Sequence, residues 1–514
     1  MTTQPTHELD VYATLRRGFA DRLAAPFIVE PDDGAGGHPD DGGVTYADVE
    51  RRSAQVAHAL RSAGVGAGDR VAVQVDKSPE ALLTYLGVVR LGAVFLPLNP
   101  AYREDEVAYF LGDAEPAVAI GRPETRKWFD RAARSAGVRR TFDLDARGLG
   151  SWRDAVDAAA TDDPSPCPVG PDDLATLVYT SGTTGRSKGA MLTHRNLMSN
   201  GAALQQIWGF RADDVLVHAL PIFHVHGLYV ATHTAMLTGI PMIFHRQFDA
   251  AAVLDSIQRA TVFMGVPTMY TRLLGQAGLD AEACRGMRLF VSGSAPLLRD
   301  TFDEFRTRTG HTILERYGMT ETGMNTSNPY VGERKGGTVG VALPGVEVRV
   351  VANGGALPAG EVGDVQVRGP NVLRGYWRRP DKDAEEISAD GWFATGDVGV
   401  FDPDGYLELV GRSKDLVISG GFNVYPKEIE LVLDEVPGVV ESAVIGVPHP
   451  DFGEAVAAVL TVEPGVEIDT AALIADLKTR LASFKVPKTI HVVDELPRNT
   501  MGKVQKNLLR ERFS

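Results

Sequence analysis

Before residue 339, the apolar positions predict helices and strands that alternate along the chain. Val11, Leu15 and Phe19 recur at four-residue spacing, as on one face of an amphipathic helix, and residues 46–63 carry a helical pattern too. In residues 71–75, valine instead alternates with other residues, as in a strand. Because strands that alternate with helices usually form a mostly parallel sheet covered on both faces, we predict an α/β fold.

The pattern changes twice in the last third of the chain. Short apolar runs separated by Gly, Asn, Asp and Pro predict an antiparallel β subdomain over about residues 339–411. After Arg412, the pattern predicts a helix, two strands and a second helix in a compact α+β unit. We therefore predict a large N-terminal domain at 1–411, with mixed α/β sheets and the β subdomain, and a small C-terminal domain at 412–514.

Composition limits the classes of function open to this chain. Its 514 residues exceed what one hydrophobic core can serve, and a net charge of −15 disfavours a general nucleic-acid surface. Two cysteines, Cys167 and Cys284, are too few for a disulfide framework. The N-terminus lacks the basic and apolar regions of a signal peptide, and no apolar stretch reaches the length of a membrane span. We expect a cytoplasmic protein with small-molecule partners, no nucleic acid and no membrane; its oligomeric state stays open.

The strongest chemical signal is the stretch LVYTSGTTGRSKG at residues 177–189. An apolar, β-favouring run leads directly into a loop of glycines and hydroxyls that ends near a lysine. Backbone N–H groups, hydroxyls and an ammonium in such a loop cradle phosphates, although the Walker A spacing is absent. The alternative is a flexible Gly/Ser linker. It is disfavoured because these loop residues follow one another without a break, directly after a predicted strand. The predicted phosphate-binding residues are Thr180, Ser181, Gly182, Thr183, Thr184, Gly185 and Lys188.

The segment TSGTTGRSKG resembles the phosphate-binding signature of the adenylate-forming superfamily, which includes acyl-CoA synthetases, luciferases and peptide-synthetase adenylation domains. The resemblance implies that ATP, with Mg²⁺, activates a carboxylic acid as an acyl-adenylate. In the acyl-CoA synthetases, coenzyme A then takes the acyl group and AMP leaves. The resemblance also implies that the small C-terminal domain is mobile.

A second stretch, RYGMTETG at residues 316–323, supports a nucleotide site. A carboxylate and a hydroxyl beside an aromatic ring suit a magnesium nucleotide, although a lone loop Glu is usually just solvated. The resemblance assigns adenine stacking to Tyr317, an α-phosphate contact to Thr320 and Mg²⁺ to Glu321, with Thr184 as a second metal contact. Asp397 could accept hydrogen bonds from both ribose hydroxyls. The other implied ATP contacts are Ser294, Ala295, Pro296, Arg316, Gly318, Arg412 and Lys503.

The C-terminal motifs complete the implied reaction. In SKDLVISGGFNVYP, the resemblance places a hinge at Lys414 and the pantetheine arm of coenzyme A near Gly420, Gly421 and Phe422. Lys503, in PRNTMGK, matches the catalytic lysine of the superfamily. Such a cation is needed because a carboxylate must approach a polyanion, and charge builds on the phosphorus oxygens.

The acid itself is predicted to bind near two histidines in PIFHVHGL. We predict that His224 and His226 lie on one face of an extended segment. That geometry could hold a metal, but no Cys or acidic residue is nearby. The resemblance instead makes His224 a catalytic gate beside the acyl carboxylate and His226 part of the pocket wall, with Met319 as another substrate contact.

The acid is predicted to carry two carboxylates. The segments FHVHGL, GVPTMYTRL, SGSAPL and ERYGMTETGMNTSNPY closely resemble malonyl-CoA synthetases, some of which also accept methylmalonate. That resemblance implies that Arg272 and Ser294 hold the distal carboxylate, and an Arg is suited to bidentate binding of it. The alternatives are that Arg272 caps a surface helix, that the acid is a short-chain or aryl monocarboxylate, that a carrier protein receives the acyl group, or that the chain is a non-catalytic nucleotide sensor.

Overall fold

The computed structural model describes residues 10–31, 43–164, 169–180, 187–419, 422–449, 453–499 and 502–514. The chain divides into two compact units, Met1–Glu347 with Val367–Phe393, and Val348–Gln366 with Ala394–Ser514. These units group the strands of the predicted β subdomain with the C-terminal residues. The predicted domain boundary at residue 412 stays a prediction, because a division into compact units does not locate a hinge.

Several helices of the first unit begin at a residue whose side chain caps the first turn. Thr45 and Asp48 form a capping box at one start, and the Ser78 side chain accepts a hydrogen bond from Ala81 N at the next. The helices are α1 (Val11–Phe19), α2 (Tyr46–Ser62), α3 (Pro79–Arg90), α4 (Glu104–Ala114), α5 (Arg126–Ser135), α6 (Ser151–Asp157), α7 (His194–Ile207), α8 (Thr232–Thr238), α9 (Ala250–Ile257), α10 (Pro267–Leu274), α11 (Arg299–Thr309) and α12 (Pro380–Glu386). The helix predicted at 46–63 is confirmed.

The first sheet of this unit runs in the order β15-β14-β13-β12-β11-β9-β10-β1-β2. Its strands from β13 to β1 are parallel, and antiparallel strands flank them at both ends. The strands are β1 (Pro26–Val29), β2 (Val44–Thr45), β9 (Leu216–His218), β10 (Met242–Phe244), β11 (Val262–Gly265), β12 (Leu289–Ser292), β13 (Leu314–Met319), β14 (Gly323–Ser327) and β15 (Val341–Ala342).

The second sheet of this unit runs in the order β19-β8-β7-β4-β3-β5-β6 and is parallel from β7 to β6. The strands are β3 (Arg70–Val73), β4 (Val94–Pro97), β5 (Val118–Gly121), β6 (Arg140–Asp143), β7 (Leu174–Thr180), β8 (Lys188–Thr193) and β19 (Gly375–Tyr376). β7 and β8, which flank the predicted phosphate-binding stretch in the sequence, pair antiparallel.

The second unit contains two smaller sheets. One has the order β17-β16-β18-β20-β21, and the other has the order β23-β22-β25-β24 with β26 beside β25. The strands are β16 (Glu347–Ala352), β17 (Gly355–Ala356), β18 (Gly363–Arg368), β20 (Phe393–Phe401), β21 (Leu407–Arg412), β22 (Val417–Ser419), β23 (Phe422–Val424), β24 (Val439–His449), β25 (Gly453–Val462) and β26 (Thr489–Val492), and the helices are α13 (Pro426–Asp434), α14 (Thr470–Arg480) and α15 (Lys506–Phe513). Apolar side chains from α13, α14, β24 and β25 share one core. Across the described ranges, no helix is both long and apolar enough to cross a membrane.

Candidate active site

Several of the predicted acid and nucleotide residues follow strands that end at one edge of the first sheet. β13, β12, β11 and β9 are neighbouring parallel strands, so their carboxyl ends meet at the same edge. The segments that follow these strands carry His224 and His226, Arg272, Ser294, and Glu321. In open α/β sheets, ligands bind in the crevice outside the carboxyl ends of the strands.

Gly293 lies against Arg316 where β12 ends, and Ser294 follows directly. Ser294 has a φ of +72°, a left-handed conformation that is uncommon for a residue with a side chain. At the preceding Gly293, a Cβ would lie 2.5 Å from Cζ of Arg316, so the missing side chain makes room for the guanidinium. The Ser294 hydroxyl lies 3.3 Å from Nδ1 of His226.

Arg316 is a buried cation whose donors are not all used. Only 3% of its surface is exposed, and its Nε and Nη2 atoms find no hydrogen-bond partner in the described part of the chain. Burial lowers the pKa of Arg316 to about 9, so the guanidinium is still charged at pH 7. A buried charge without its full set of hydrogen bonds is costly, and an anion bound there would offset that cost.

The prediction of an extended segment for the two histidines is wrong. Residues His226–Ala231 form a π-helix that follows a turn at 222–223. The apolar run after His226 is buried on every side, which favours a helix over the one-sided strand that the alternation suggested. π-helical turns occur frequently at functional sites.

His226 is neutral in this environment. Burial and the positive charge of Arg316 hold the pKa of His226 well below its usual range. Its Nε2 atom, like the Arg316 donors, has no partner among the described residues. His224 is half-buried, and its Nδ1 accepts a hydrogen bond from the His226 backbone N–H at 3.3 Å. His226 therefore lies near His224 and Arg316.

Arg272 occupies a different environment from Arg316. It lies in the last turn of α10, and its side chain is exposed. Within the described ranges it forms no ion pair. Its predicted contact with a distal carboxylate stays a prediction, and the structure offers Arg316 as a second guanidinium for that role. For Arg316, the sequence resemblance implies an ATP contact instead.

The predicted nucleotide motif is a β-hairpin. β13 and β14 pair with Met319 opposite Gly323, so Thr320, Glu321 and Thr322 form its tip. Tyr317 is buried, and Glu321 has only 7% of its surface exposed. One carboxylate oxygen of Glu321 lies 3.3 Å from the Tyr376 hydroxyl.

Lys188 is held beside this hairpin by two residues that the sequence did not single out. Its Nζ lies 2.6 Å from Oε1 of Glu386 and 4.0 Å from the ring centroid of Tyr376. The Tyr376 hydroxyl donates to Oε2 of Glu386 at 2.6 Å. In the sequence, Glu386 is the last residue of the charged run DKDAEE, which is typical of a solvated surface. Nothing in the sequence therefore marks Glu386 as a functional residue. The predicted phosphate residues Ser181, Gly182, Thr183, Thr184 and Gly185 lie outside the described residues.

In the second unit, the structure brings the two predicted ribose-side residues together. Asp397 and Arg412 are cross-strand partners in β20 and β21, and Nε of Arg412 lies 2.6 Å from the buried Asp397 carboxylate. Burial, with the nearby charges of Arg412 and Lys503, lowers the pKa of Lys414 to about 8. Lys503 is exposed, and its backbone N–H donates to Oδ1 of Asn499. The predicted coenzyme A residues Gly420 and Gly421 lie outside the described residues, and Phe422 begins β23.

Comparison with known proteins identifies the family. Residues 20–377 match the family described as AMP-binding enzyme, and residues 428–503 match the AMP-binding enzyme C-terminal domain. The chain belongs to the AMP-binding enzyme family.

Relatives within this family align over most of the chain. A feruloyl-CoA synthase from an Amycolatopsis species is 40% identical over 476 residues, which cover 91% of this chain and 94% of that protein. A malonate–CoA ligase from Arabidopsis thaliana is 35% identical over 480 residues, which cover 86% of this chain and 78% of that protein. ATP-bound MatB from Rhodopseudomonas palustris superposes with a TM-score of 0.93 at 51% identity, covering 98% of this chain and 99% of that one.

These similarities confirm the predicted superfamily and the predicted α/β fold with a larger N-terminal and a smaller C-terminal domain. As an AMP-binding enzyme of this type, the protein is an adenylate-forming acyl-CoA ligase, with ATP and coenzyme A as substrates. The roles of individual residues stay predictions, since family membership alone does not test them. The names of the relatives refer to different acids, ferulate and malonate, so family membership does not identify the acid that this enzyme uses.

Proposed function

We propose that this enzyme ligates a small dicarboxylic acid, malonate or methylmalonate, to coenzyme A. The observation that carries the proposal is the buried Arg316 guanidinium, two of whose nitrogens have no partner among the described residues. It lies against Gly293, which precedes Ser294, and its charge acts on His226. A guanidinium presents its N–H groups in a fixed fork that matches a carboxylate. The only carboxylate of a monocarboxylic acid forms the bond to AMP in the adenylate. A dicarboxylic acid has a second carboxylate that can bind Arg316.

Two groups beside Arg316 suit the same ligand. His226 is neutral, so it adds no charge but offers a ring nitrogen for hydrogen bonding, and the Ser294 hydroxyl can donate to a carboxylate oxygen. The similarity to a malonate–CoA ligase supports this choice, and the similarity to a feruloyl-CoA synthase supports an aryl monocarboxylate as the competing substrate. An aryl acid leaves the buried charge of Arg316 without an anionic partner.

The proposed reaction has two half-reactions. The reacting carboxylate, placed near His224, attacks the α-phosphorus of ATP; a new P–O bond forms, and the bond to the leaving pyrophosphate breaks. Lys503 and Lys188 stabilise the negative charge on the phosphate oxygens, with Thr320 as a hydroxyl contact. The coenzyme A thiol, on losing its proton, then attacks the acyl carbon and AMP leaves. Between the halves, the C-terminal domain turns about Lys414.

Glu321 fits the predicted magnesium site. Mg²⁺ in nucleotide enzymes is bound through one or two carboxylates together with substrate phosphates, and the buried Glu321 supplies one such carboxylate at the hairpin tip. When bound, Mg²⁺ would offset the negative charge of the phosphates. The second predicted metal contact, Thr184, lies outside the described residues.

An acid panel tests this proposal. The purified enzyme is given ATP, Mg²⁺, coenzyme A and one of malonate, methylmalonate, succinate, acetate, butyrate, benzoate or ferulate, and AMP and acyl-CoA are measured by mass spectrometry. We expect turnover of malonate and its 2-substituted form to exceed that of every monocarboxylate. Preference for ferulate or benzoate would replace the dicarboxylate with an aryl acid, and the absence of acyl-CoA with every acid would favour a nucleotide-binding sensor.

A further inference from the structure

Four polar side chains from separate elements of the first unit converge beside the predicted phosphate loop. Lys188 begins β8, Tyr376 ends β19, Glu386 ends α12, and Glu321 lies at the tip of the β13–β14 hairpin. Tyr376 contacts the other three side chains. Its hydroxyl lies 2.6 Å from Oε2 of Glu386 and 3.3 Å from Oε1 of Glu321, and the Lys188 ammonium lies over its ring. The nucleotide role predicted for Lys188 and Glu321 does not account for Tyr376 or Glu386.

The fold fixes Tyr376 and Glu386 firmly relative to Lys188. Tyr376 pairs with Ala190 of β8, two residues beyond Lys188, and its backbone N–H donates to the Asp383 carboxylate at 2.7 Å. Asp383 lies in α12, so the same contact anchors the helix whose last residue is Glu386. These pairings make the position of Glu386 a property of the rigid scaffold.

Glu386 lies where a helix does not favour a carboxylate. The carboxyl end of a helix carries partial negative charge, which disfavours another negative group there. Glu386 is held instead by Lys188 at 2.6 Å and by the Tyr376 hydroxyl. A phenol has one proton, and the shorter distance shows that Tyr376 donates it to Glu386 rather than to Glu321. Burial and the two carboxylates raise the pKa of Tyr376, so this proton is retained.

We propose that Glu386 is a positioning residue of the nucleotide site, an internal anion that holds the Lys188 ammonium until a polyphosphate displaces it. The proposal rests on the proposed function, in which Lys188 contacts phosphate. A triphosphate carries several negative charges and can outcompete one carboxylate, whereas a singly charged anion competes poorly. Glu386 would thus select ATP over monovalent anions at Lys188, and Tyr376 would keep Glu386 in position after the exchange.

The test compares Glu386→Gln with Glu385→Gln as a matched control. Glu385 is the neighbouring residue, it is exposed, and its ion pair is with Lys382 instead of Lys188. Binding of the non-hydrolysable analogue α,β-methylene-ATP with Mg²⁺ is measured by calorimetry at low and high salt. We expect Glu386→Gln to bind the analogue about three- to tenfold more tightly at low salt, which is the range for loss of one partly exposed ion pair, and Glu385→Gln to match the wild type. The gain should shrink at high salt.

A second pair of variants separates this role from a general structural one. In a Lys188→Met background, Glu386→Gln should bring no gain in affinity, because no ammonium is left to release. Equal or weaker binding by Glu386→Gln in the wild-type background, or the same gain without Lys188, would overturn the proposal. If the wild-type enzyme binds no nucleotide, the proposed function fails together with this inference; if it binds nucleotide but activates no acid, the proposed function fails and this inference stands.

Discussion

Replacing Arg316 with methionine removes the buried guanidinium and keeps the apolar length of its side chain. Truncating one partner of a buried, hydrogen-bonded charge pair costs about 2–5 kcal/mol of binding. Since each 1.4 kcal/mol is a factor of ten, kcat/KM for malonate should fall by about 30- to 3,000-fold in Arg316→Met. The structural basis for this range is that two nitrogens of Arg316 have no hydrogen-bond partner within the described ranges.

The same substitution should affect other properties differently. Turnover of acetate should be preserved or improved, because acetate has no second carboxylate to lose a partner. The unliganded enzyme should unfold at an equal or higher temperature, since the variant no longer buries an incompletely paired charge. The KM for ATP should stay within about threefold of the wild-type value if Arg316 binds the acid instead of the nucleotide.

The assay is initial-rate measurement of AMP release with malonate and with acetate, in wild type, Arg316→Met and Arg272→Met. Arg272 is the matched control, because it is also an arginine predicted to bind the acid but lies exposed on α10. A larger loss of malonate turnover in Arg272→Met than in Arg316→Met would show that Arg272, and not Arg316, binds the distal carboxylate. A loss in Arg316→Met shared equally by malonate and acetate would show that the guanidinium does not read a second carboxylate.

Three further predictions concern the second unit. Lys503→Ala should lower the rate of adenylate formation by at least about a hundredfold and leave thioester formation from supplied malonyl-adenylate unchanged. Equal loss of both half-reactions would contradict domain alternation. Asp397→Asn should raise the KM for ATP about tenfold in pyrophosphate-exchange assays without changing the KM for malonate, whereas an unchanged KM for ATP would remove Asp397 from the nucleotide site. Burial raises the pKa of Asp434 to about 6, so the folded state keeps a proton that the unfolded state loses near pH 4, and stability falls as pH rises between these values. Asp434→Asn should therefore flatten this part of the pH profile and add about 1–3 kcal/mol at pH 7 in urea unfolding; parallel profiles for the two proteins would contradict the argument.

Much of the fold could be predicted because its signals are local. The helix at Tyr46–Ser62 is marked by its own apolar spacing and by Thr45 at its cap. The strand before the phosphate loop and the short strands of the β subdomain are likewise bounded by their own glycines, prolines and polar residues. The extended segment at His224 was wrong because a period-two pattern over a few residues does not distinguish a strand from a helix that is buried on every side.

The sequence by itself determined the order of the elements, the loop chemistry that suits phosphate, and the motifs that identify the superfamily, since each depends on residues that are close in the chain. Only the tertiary structure decided that Arg316 is buried with two nitrogens unpartnered in the part of the chain that the structure describes, that Arg272 is exposed, and that Glu386 pairs with Lys188. Burial and charge pairing depend on neighbours from distant strands and helices. Those neighbours meet only when the strands and helices pack together.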